Sequence, residues 1–210
     1  GESALDASVS GGDNTAIGKN ALTLLTSGTN CVAVGSGALD ANTSASNNTA
    51  VGHNSLTENV TGTQNVAVGN NALAANTNSN NNAAVGFDAL AANTTGTFNT
   101  ALGSDALETI ITSNHCTAVG CQALRLNTAA SNSAFGSRSM ENNTSGSLNT
   151  AVGFDSLFSN TSGTNNTALG DDALKANETG QFNTACGSGS LAANTGSFNT
   201  AVGRDSLTAN

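Results

Sequence analysis

Small apolar and polar residues alternate in a short motif that recurs along the whole chain. In the segment "NTAVG" at 149–153, Asn149 and Ala151 alternate with Thr150 and Val152. Side chains of an extended strand face opposite sides in turn, so the first pair should face one side and the second pair the other. Thr and Val also favour strands. The motif therefore predicts a short strand, and we expect the glycine that follows to end it at a corner where a side chain would obstruct the chain.

The glycine of this motif recurs at a nearly constant interval. The interval is 17 residues, apart from two intervals of 16 residues, and Gly1 opens a further part-repeat. The glycines are Gly18, Gly35, Gly52, Gly69, Gly86, Gly103, Gly120, Gly136, Gly153, Gly170, Gly187 and Gly203. Each has Ala two residues before it and, with the exception of Met140, Leu four residues after it. We therefore expect residues 1–210 to form one repeat domain of about thirteen coils, each coil being one repeat.

The length of the repeat favours one architecture. It is shorter than the roughly 33 residues of the smallest two-helix repeats, and it lacks the pattern of leucine-rich repeats. It fits an all-β parallel β-solenoid, in which the strand of each coil pairs with the strands of the coils above and below. We expect one Leu and one Val or Ile to be buried per coil, each contributing about 1.5–3 kcal/mol. The positions expected to fix the coil geometry are Gly18, Gly52, Gly103, Gly153, Ala50, Ala151, Leu56, Leu157, Asn48 and Asn149.

Asparagine recurs four residues before and seven residues after the repeat glycine. The exceptions come in pairs, Leu25 with Cys31 and Ile110 with Cys116. We infer that the two asparagines of a coil share one environment, and that an apolar pair can replace the polar pair. Stacked Asn side chains should form ladders of amide hydrogen bonds, each adding about 0.5–1.5 kcal/mol.

Composition and charge exclude several classes of partner. The 210-residue chain has a net charge of −9, and its five Lys and Arg residues are scattered singly. This distribution excludes a basic surface for nucleic acid and a polybasic patch for a membrane surface. No apolar run approaches the roughly 20 residues of a membrane helix. Aromatic residues make up only 3% of the chain, so any core should be narrow and built by repetition.

Candidate chemistry is sparse. His53 and His115 lie in separate coils, no Ser–His–Asp arrangement can be identified, and a zinc site would need four convergent ligands. We therefore predict no enzymatic activity, no cofactor and no bound metal. Cys186 occupies the Val position and should be a small buried hydrophobe. A column of Asp two residues after the glycine could bind calcium or could mark a turn, and Gly and Arg in the same column favour the turn. These aspartates are Asp88, Asp105, Asp155, Asp172 and Asp205.

The repeat resembles those of known surface fibres. "NTAVGxxAL" and "NVAVGNNAL" (65–73) are similar to the repeats of trimeric autotransporter adhesin heads. They resemble still more closely the N-T-A-x-G-x-x-A-L repeats of tail-fibre-like proteins of phages and bacteria. The resemblance implies a left-handed parallel β-roll, commonly trimeric, in fibres that attach to another surface.

These observations lead us to expect a structural or adhesive fibre segment, extracellular, on a cell surface or on a virion. Its partners would be further copies of itself, in an end-to-end filament or a trimer, and a cell-surface or glycan target. We expect the chain to be an excerpt or a subunit of a longer fibre. The loops at 42–47, 76–81 and 110–115 depart most from the consensus and are candidate contact loops. The residues of interest there are Asn42, Asn78, Ile110 and His115.

A second interpretation is a soluble solenoid that binds ice or glycans. The Thr column of the predicted strands, represented by Thr100, Thr117 and Thr150, favours an ice-binding array. The Val, Leu or Phe that shares its face favours burial against another chain or layer.

Overall fold

The computed structural model describes residues 1–7 and 9–208, and its strands form a single parallel sheet. The strands follow one another in the sheet in chain order, each paired with its sequence neighbours. They are β1 (Thr15–Ile17), β2 (Val32–Val34), β3 (Thr49–Val51), β4 (Val66–Val68), β5 (Ala83–Val85), β6 (Thr100–Leu102), β7 (Thr117–Val119), β8 (Ser133–Phe135), β9 (Thr150–Val152), β10 (Thr167–Leu169), β11 (Thr184–Cys186) and β12 (Thr200–Val202). This confirms the predicted all-β parallel β-solenoid, and the described residues contain no helix.

The pairing register follows the sequence repeat without a slip. Thr100 pairs with Thr117, a shift of 17 residues that carries Ala onto Ala and Leu102 onto Val119. At the shortened repeats the shift is 16, as where Thr117 pairs with Ser133. Because the strands stay aligned there, the missing residue is absorbed in the loops. Each coil therefore repeats the same backbone path one strand spacing further along the axis.

The core is narrow because it is built largely from Ala and Leu. The middle residue of each strand is Ala and faces inward, and the Leu four residues after the glycine is also buried, as Ala50, Leu56, Ala151 and Leu157 show. The expectation that Val or Ile is buried in each coil is wrong. A three-residue strand with its middle side chain inside turns its first and third side chains outward, so the Val position faces away from the core.

Glycine is required where each strand ends. Gly103 has a φ of +138°, and a Cβ placed on it would lie 2.5 Å from the carbonyl oxygen of Gly120 in the next coil. Gly18, Gly52 and Gly153 have the same conformation, with φ of +131°, +136° and +135°. Both the backbone conformation and the close approach of the next coil thus exclude a side chain at this column.

Three further positions of the coil have left-handed backbone conformations and, apart from Gly37 and Gly189, are not occupied by glycine. They lie two and four residues after the glycine and five residues before the next one, as at Asp88 (φ 51°), Leu90 (φ 52°) and Phe98 (φ 59°). Asp and Asn tolerate this conformation well, which accounts for the Asp column as a column of turns. Leu does so rarely, and here its buried side chain fixes it at the corner.

Two ladders of buried asparagines run along the inside of the loops. In the first ladder, Asn48 Oδ1 accepts from the backbone N–H of Asn65 (3.0 Å) in the next coil. In the second, Asn76 Nδ2 donates to Asn59 Oδ1 (2.7 Å). The predicted amide ladders are therefore present. Where an apolar pair replaces the two asparagines, both of its members are buried, as with Ile110 and Cys116.

Candidate functional site

The outward side chains of the strands and their flanking residues form one continuous surface, which we call the outer strand face. It comprises, in each coil, the residues five, three and one before the repeat glycine and the residue after it. In the coil of Gly103 these are Phe98, Thr100, Leu102 and Ser104. The two central columns belong to the sheet, so their spacing along the axis is fixed by strand pairing.

Exposed apolar side chains are concentrated on the outer strand face. Of the seventeen large hydrophobic residues that are exposed, thirteen belong to its columns. The exceptions are Leu24, Val60, Ile111 and Leu207. Scattered apolar residues are normal on a protein surface, but a contiguous patch marks an interaction site. We therefore identify the outer strand face as the candidate functional site.

The same face is nearly free of charge, although the chain carries −9. From Asn30 to Phe154, across eight coils, its four columns contain no Asp, Glu, Lys or Arg. In the remaining coils, charges occur on the face only in its flanking columns, for example at Lys19 and Asp171. The acidic groups of the chain therefore lie mostly on its other sides.

The threonine hydroxyls of the outer strand face are free to bind other groups. Within the described residues, the hydroxyls of Thr100, Thr117 and Thr150 make no hydrogen bond to the protein. The threonines eight residues after the glycine differ, since Thr144 Oγ1 donates to the carbonyl of Thr161 (2.9 Å) in the next coil. The face thus offers hydroxyl groups beside apolar side chains, whereas the loop threonines stabilise coil stacking.

Aromatic rings stack along one edge of the face. The rings of Phe98 and His115 are 5.2 Å apart and inclined by 2°, and those of Phe182 and Phe198 are 5.2 Å apart and inclined by 7°. Each pair joins equivalent positions of successive coils, so the coil rise sets the ring spacing. The stacking contact with Phe98 therefore orients the exposed ring of His115.

A charged cluster lies beside the face and joins three coils. Asp155, only 1% exposed, accepts from Arg138 Nε (2.8 Å) and lies 3.0 Å from Lys175 Nζ. Burial alone would raise the pKa of the Asp155 carboxyl, but the hydrogen bonds from Arg138 and Lys175 outweigh burial and lower it. The guanidinium of Arg138 also lies 5.0 Å from the ring centroid of Phe154. This cluster fastens neighbouring coils to one another.

The residues proposed for the contact loops divide into two groups. Asn42 and Ile110 are fully buried, and Asn42 Nδ2 donates to the carbonyl of Ala45 (3.1 Å) in its own loop. Their side chains therefore cannot touch a target. Asn78 and His115 are exposed and remain candidates for contact.

The four cysteines are free thiols in three different environments. Cys31 and Cys116 are buried, and burial raises the pKa of both thiols. Cys121 is exposed. Cys186 is half-buried on the outer strand face, so the expectation that it is a buried hydrophobe is wrong for the same reason as for the Val column.

The part of the chain that the structure describes contains no concave pocket. It also contains no group of three His, Cys, Asp or Glu side chains placed to hold a metal ion. No helix that could cross a bilayer occurs among residues 1–7 and 9–208. That the protein lacks enzymatic activity and cofactors stays a prediction from the sequence.

Comparison with known proteins identifies none that is similar to this chain. The chain matches no protein-family model, no curated protein and no solved structure at a significant level.

Proposed function

We propose that this chain is a structural or adhesive segment of an extracellular fibre, carried on a cell surface or a virion, and that it associates with further copies of itself. The observation that supports this most strongly is the equivalence of its coils. In every coil from that of β1 to that of β11, the N–H three residues before the glycine donates to the next coil, from Thr15 to Cys31 (2.8 Å) through Thr184 to Asn199 (2.8 Å). A stack of equivalent layers gives length and stiffness.

The same equivalence gives a route to end-to-end growth. The eleven spacings between the twelve strands, at about 4.8 Å each, span roughly 53 Å along the axis. Among the described residues, β12 pairs with β11 alone, and the N–H of Thr200 occupies the position that donates onward in the earlier coils. Because the coils are equivalent, a coil of a second copy stacked on such a strand would continue both the backbone ladder and the Asn ladder.

Attachment to a cell-surface or glycan target is the adhesive part of the proposal. It is supported by the resemblance of the repeat to surface-fibre repeats and by exposed groups such as Asn78, His115 and the aromatic pair of Phe182 and Phe198. Aromatic rings beside hydroxyl and amide groups suit a neutral sugar.

The test of end-to-end association is sedimentation velocity on the wild-type chain and on Thr200→Pro. Proline removes the N–H of Thr200, which is equivalent to the N–H groups that donate to the next coil, and leaves the bonds to β11 in place. The wild type should form species whose mass and frictional ratio grow with concentration, and Thr200→Pro should not. Thr49→Pro is the matched control inside the stack, where it breaks an existing bond to Asn65 (2.9 Å) and should destabilise the fold. A wild type that shows no growth at any concentration would contradict the proposal.

The alternative of an ice-binding module is favoured by one observation, the uncharged array of free threonine hydroxyls on a regular sheet. Against it, Leu102 and Phe135 protrude from the same sheet and interrupt a flat match to a crystal surface. Thermal hysteresis in a purified sample would establish ice binding, and its absence would exclude that activity.

A further inference from the structure

We propose that the outer strand face packs face to face against the same face of a second copy, so that two solenoids lie side by side as a two-fold pair. This inference rests on the proposed function, because it names the lateral partner of the fibre segment. End-to-end growth uses backbone hydrogen bonds along the axis, such as one from the N–H of Thr200, whereas lateral pairing uses the sheet surface, so the two can be tested separately.

Charge selects the face on which two copies can meet. Each chain carries −9, so most sides of the molecule would bring carboxylates together. Glu108, Glu58 and Asp88 all lie outside the columns of the outer strand face. Between Asn30 and Phe154 the face itself carries no Asp, Glu, Lys or Arg over eight coils, so two copies can approach on it with little repulsion.

The area of the face is close to what a stable pair needs. Its length is about 53 Å, and the three strand residues of each coil span about 10 Å, so the strands alone give roughly 500 Å² per copy before the two flanking columns are added. Specific interfaces bury about 800 Å² per partner. With its flanking columns the face therefore approaches the standard size, and it carries the apolar side chains that such an interface requires.

The distribution of apolar residues favours two copies over a ring of three. In a ring, each copy must present two apolar sides that meet at an angle, one for each neighbour. Here one side holds thirteen of the seventeen exposed large apolar residues, and the other sides hold isolated ones such as Val60 and Ile111. Because each copy has a single apolar face, it can bury that face against one partner but not against two.

The outer strand face has large side chains next to small ones, so it suits a partner whose side chains interdigitate with its own. Phe135 protrudes from a coil in which the other residues of the face are Ser131, Ser133 and Ser137. Protein interfaces pack at the density of protein interiors, so a large side chain on one copy needs a hollow on the other. Small residues beside Phe135 supply such a hollow. The hydroxyls of the Thr column can donate across the interface, since they are free of bonds within the chain.

The test measures the mass of Thr200→Pro, in which end-to-end growth is blocked. Sedimentation equilibrium should give twice the 20.5 kDa of the chain. Adding Leu102→Glu and Val152→Glu, at residues 42% and 39% exposed on the face, should return the mass to one chain. Ile111→Glu is the matched control, because Ile111 is 52% exposed but lies on a loop away from the face, and this variant should remain a pair.

Several outcomes would overturn the proposal. Thr200→Pro that sediments as a single chain over a wide concentration range would exclude the pair, and a mass of three chains would exclude the two-fold arrangement. A pair that persists in the double Glu variant would place the interface elsewhere. If circular dichroism shows that the double variant is unfolded, Thr150→Arg, a change at an outward side chain without hydrogen bonds, takes its place with the same expected loss of pairing. A paired Thr200→Pro together with a wild type that never grows would refute end-to-end assembly alone.

Discussion

Replacing Gly103 by Ala tests whether the repeat glycine is fixed by the approach of successive coils. At φ +138°, an L residue is strained, and the added Cβ would lie 2.5 Å from the carbonyl oxygen and 2.6 Å from the carbonyl carbon of Gly120. Both contacts are with backbone, which cannot move aside without widening the gap between two coils. Widening it would weaken the bond from Gly120 N–H to the carbonyl of Leu102 (2.7 Å).

The cost follows from these two effects. Strain in a sparsely populated backbone region costs about 1–3 kcal/mol, and each weakened hydrogen bond adds about 0.5–1.5 kcal/mol. The total of roughly 2–5 kcal/mol corresponds to a fall in Tm of about 5–15 °C for a chain of this size. The assay is thermal unfolding followed by far-ultraviolet circular dichroism.

Gly37→Asn is the control, because Gly37 lies two residues after a repeat glycine, where neighbouring coils have Asn20 and Asn54. Its φ of +70° suits Asn, and the added Cβ would meet only the Oδ1 end of the Asn54 side chain. The Tm should stay the same or rise, since replacing Gly at a compatible position contributes about 0.4–1 kcal/mol. Equal Tm values for Gly103→Ala and Gly37→Asn would refute this explanation of the glycine column.

Three further predictions concern single positions. Ile110→Asn should lower the Tm, although the amide introduced at position 110 can donate to the buried, unpartnered Oδ1 of Asn93. Adding Cys116→Asn should restore part of the loss, because the two introduced amides then form the Asn pair of the other coils. A double-mutant cycle that shows no coupling would contradict this. The lowered pKa of Asp155 stabilises the fold above its ordinary pKa of 3.8, and this contribution is lost as the pH falls through the lowered value, so the Tm of the wild type should fall more than that of Asp155→Asn between pH 5 and acidic pH. Maleimide should label Cys121 in the native protein and Cys116 only after unfolding, as mass spectrometry of the labelled peptides will show.

The solenoid was predictable because its register is present in the sequence twice, as the glycine interval and as the alternation within the strand. The invariant Ala at the strand centre lies on the inner side, which was not predicted from the sequence. The burial of Val or Ile was the wrong inference, because hydrophobicity suggested the core while the alternation placed Val152 on the side opposite Ala151. In a strand of only three residues, the alternation of the side chains, and not their hydrophobicity, determines which of them is buried.

The candidate site was only partly predictable. The alternation placed Thr and Val on a common side, but the absence of charge on that side depends on which loop residues flank the strands. The flanking residues five before the glycine sit in left-handed corners, and three of them are Phe, which seldom adopts that conformation. The contact loops were chosen by departure from the consensus. Ile110 differs from the consensus because an apolar pair, Ile110 and Cys116, replaces a buried Asn pair. Its difference from the consensus is therefore a change in the core and does not indicate a contact surface.

Electron microscopy of the wild-type chain tests the central claim, that equivalent coils stack from one copy to the next, most directly. Negative-stain images over a range of concentrations should show straight rods whose lengths increase in steps of about 58 Å, the twelve strand spacings that each added copy contributes. Thr200→Pro should show rods of a single step. Wild-type particles that never exceed one step in length would contradict the account.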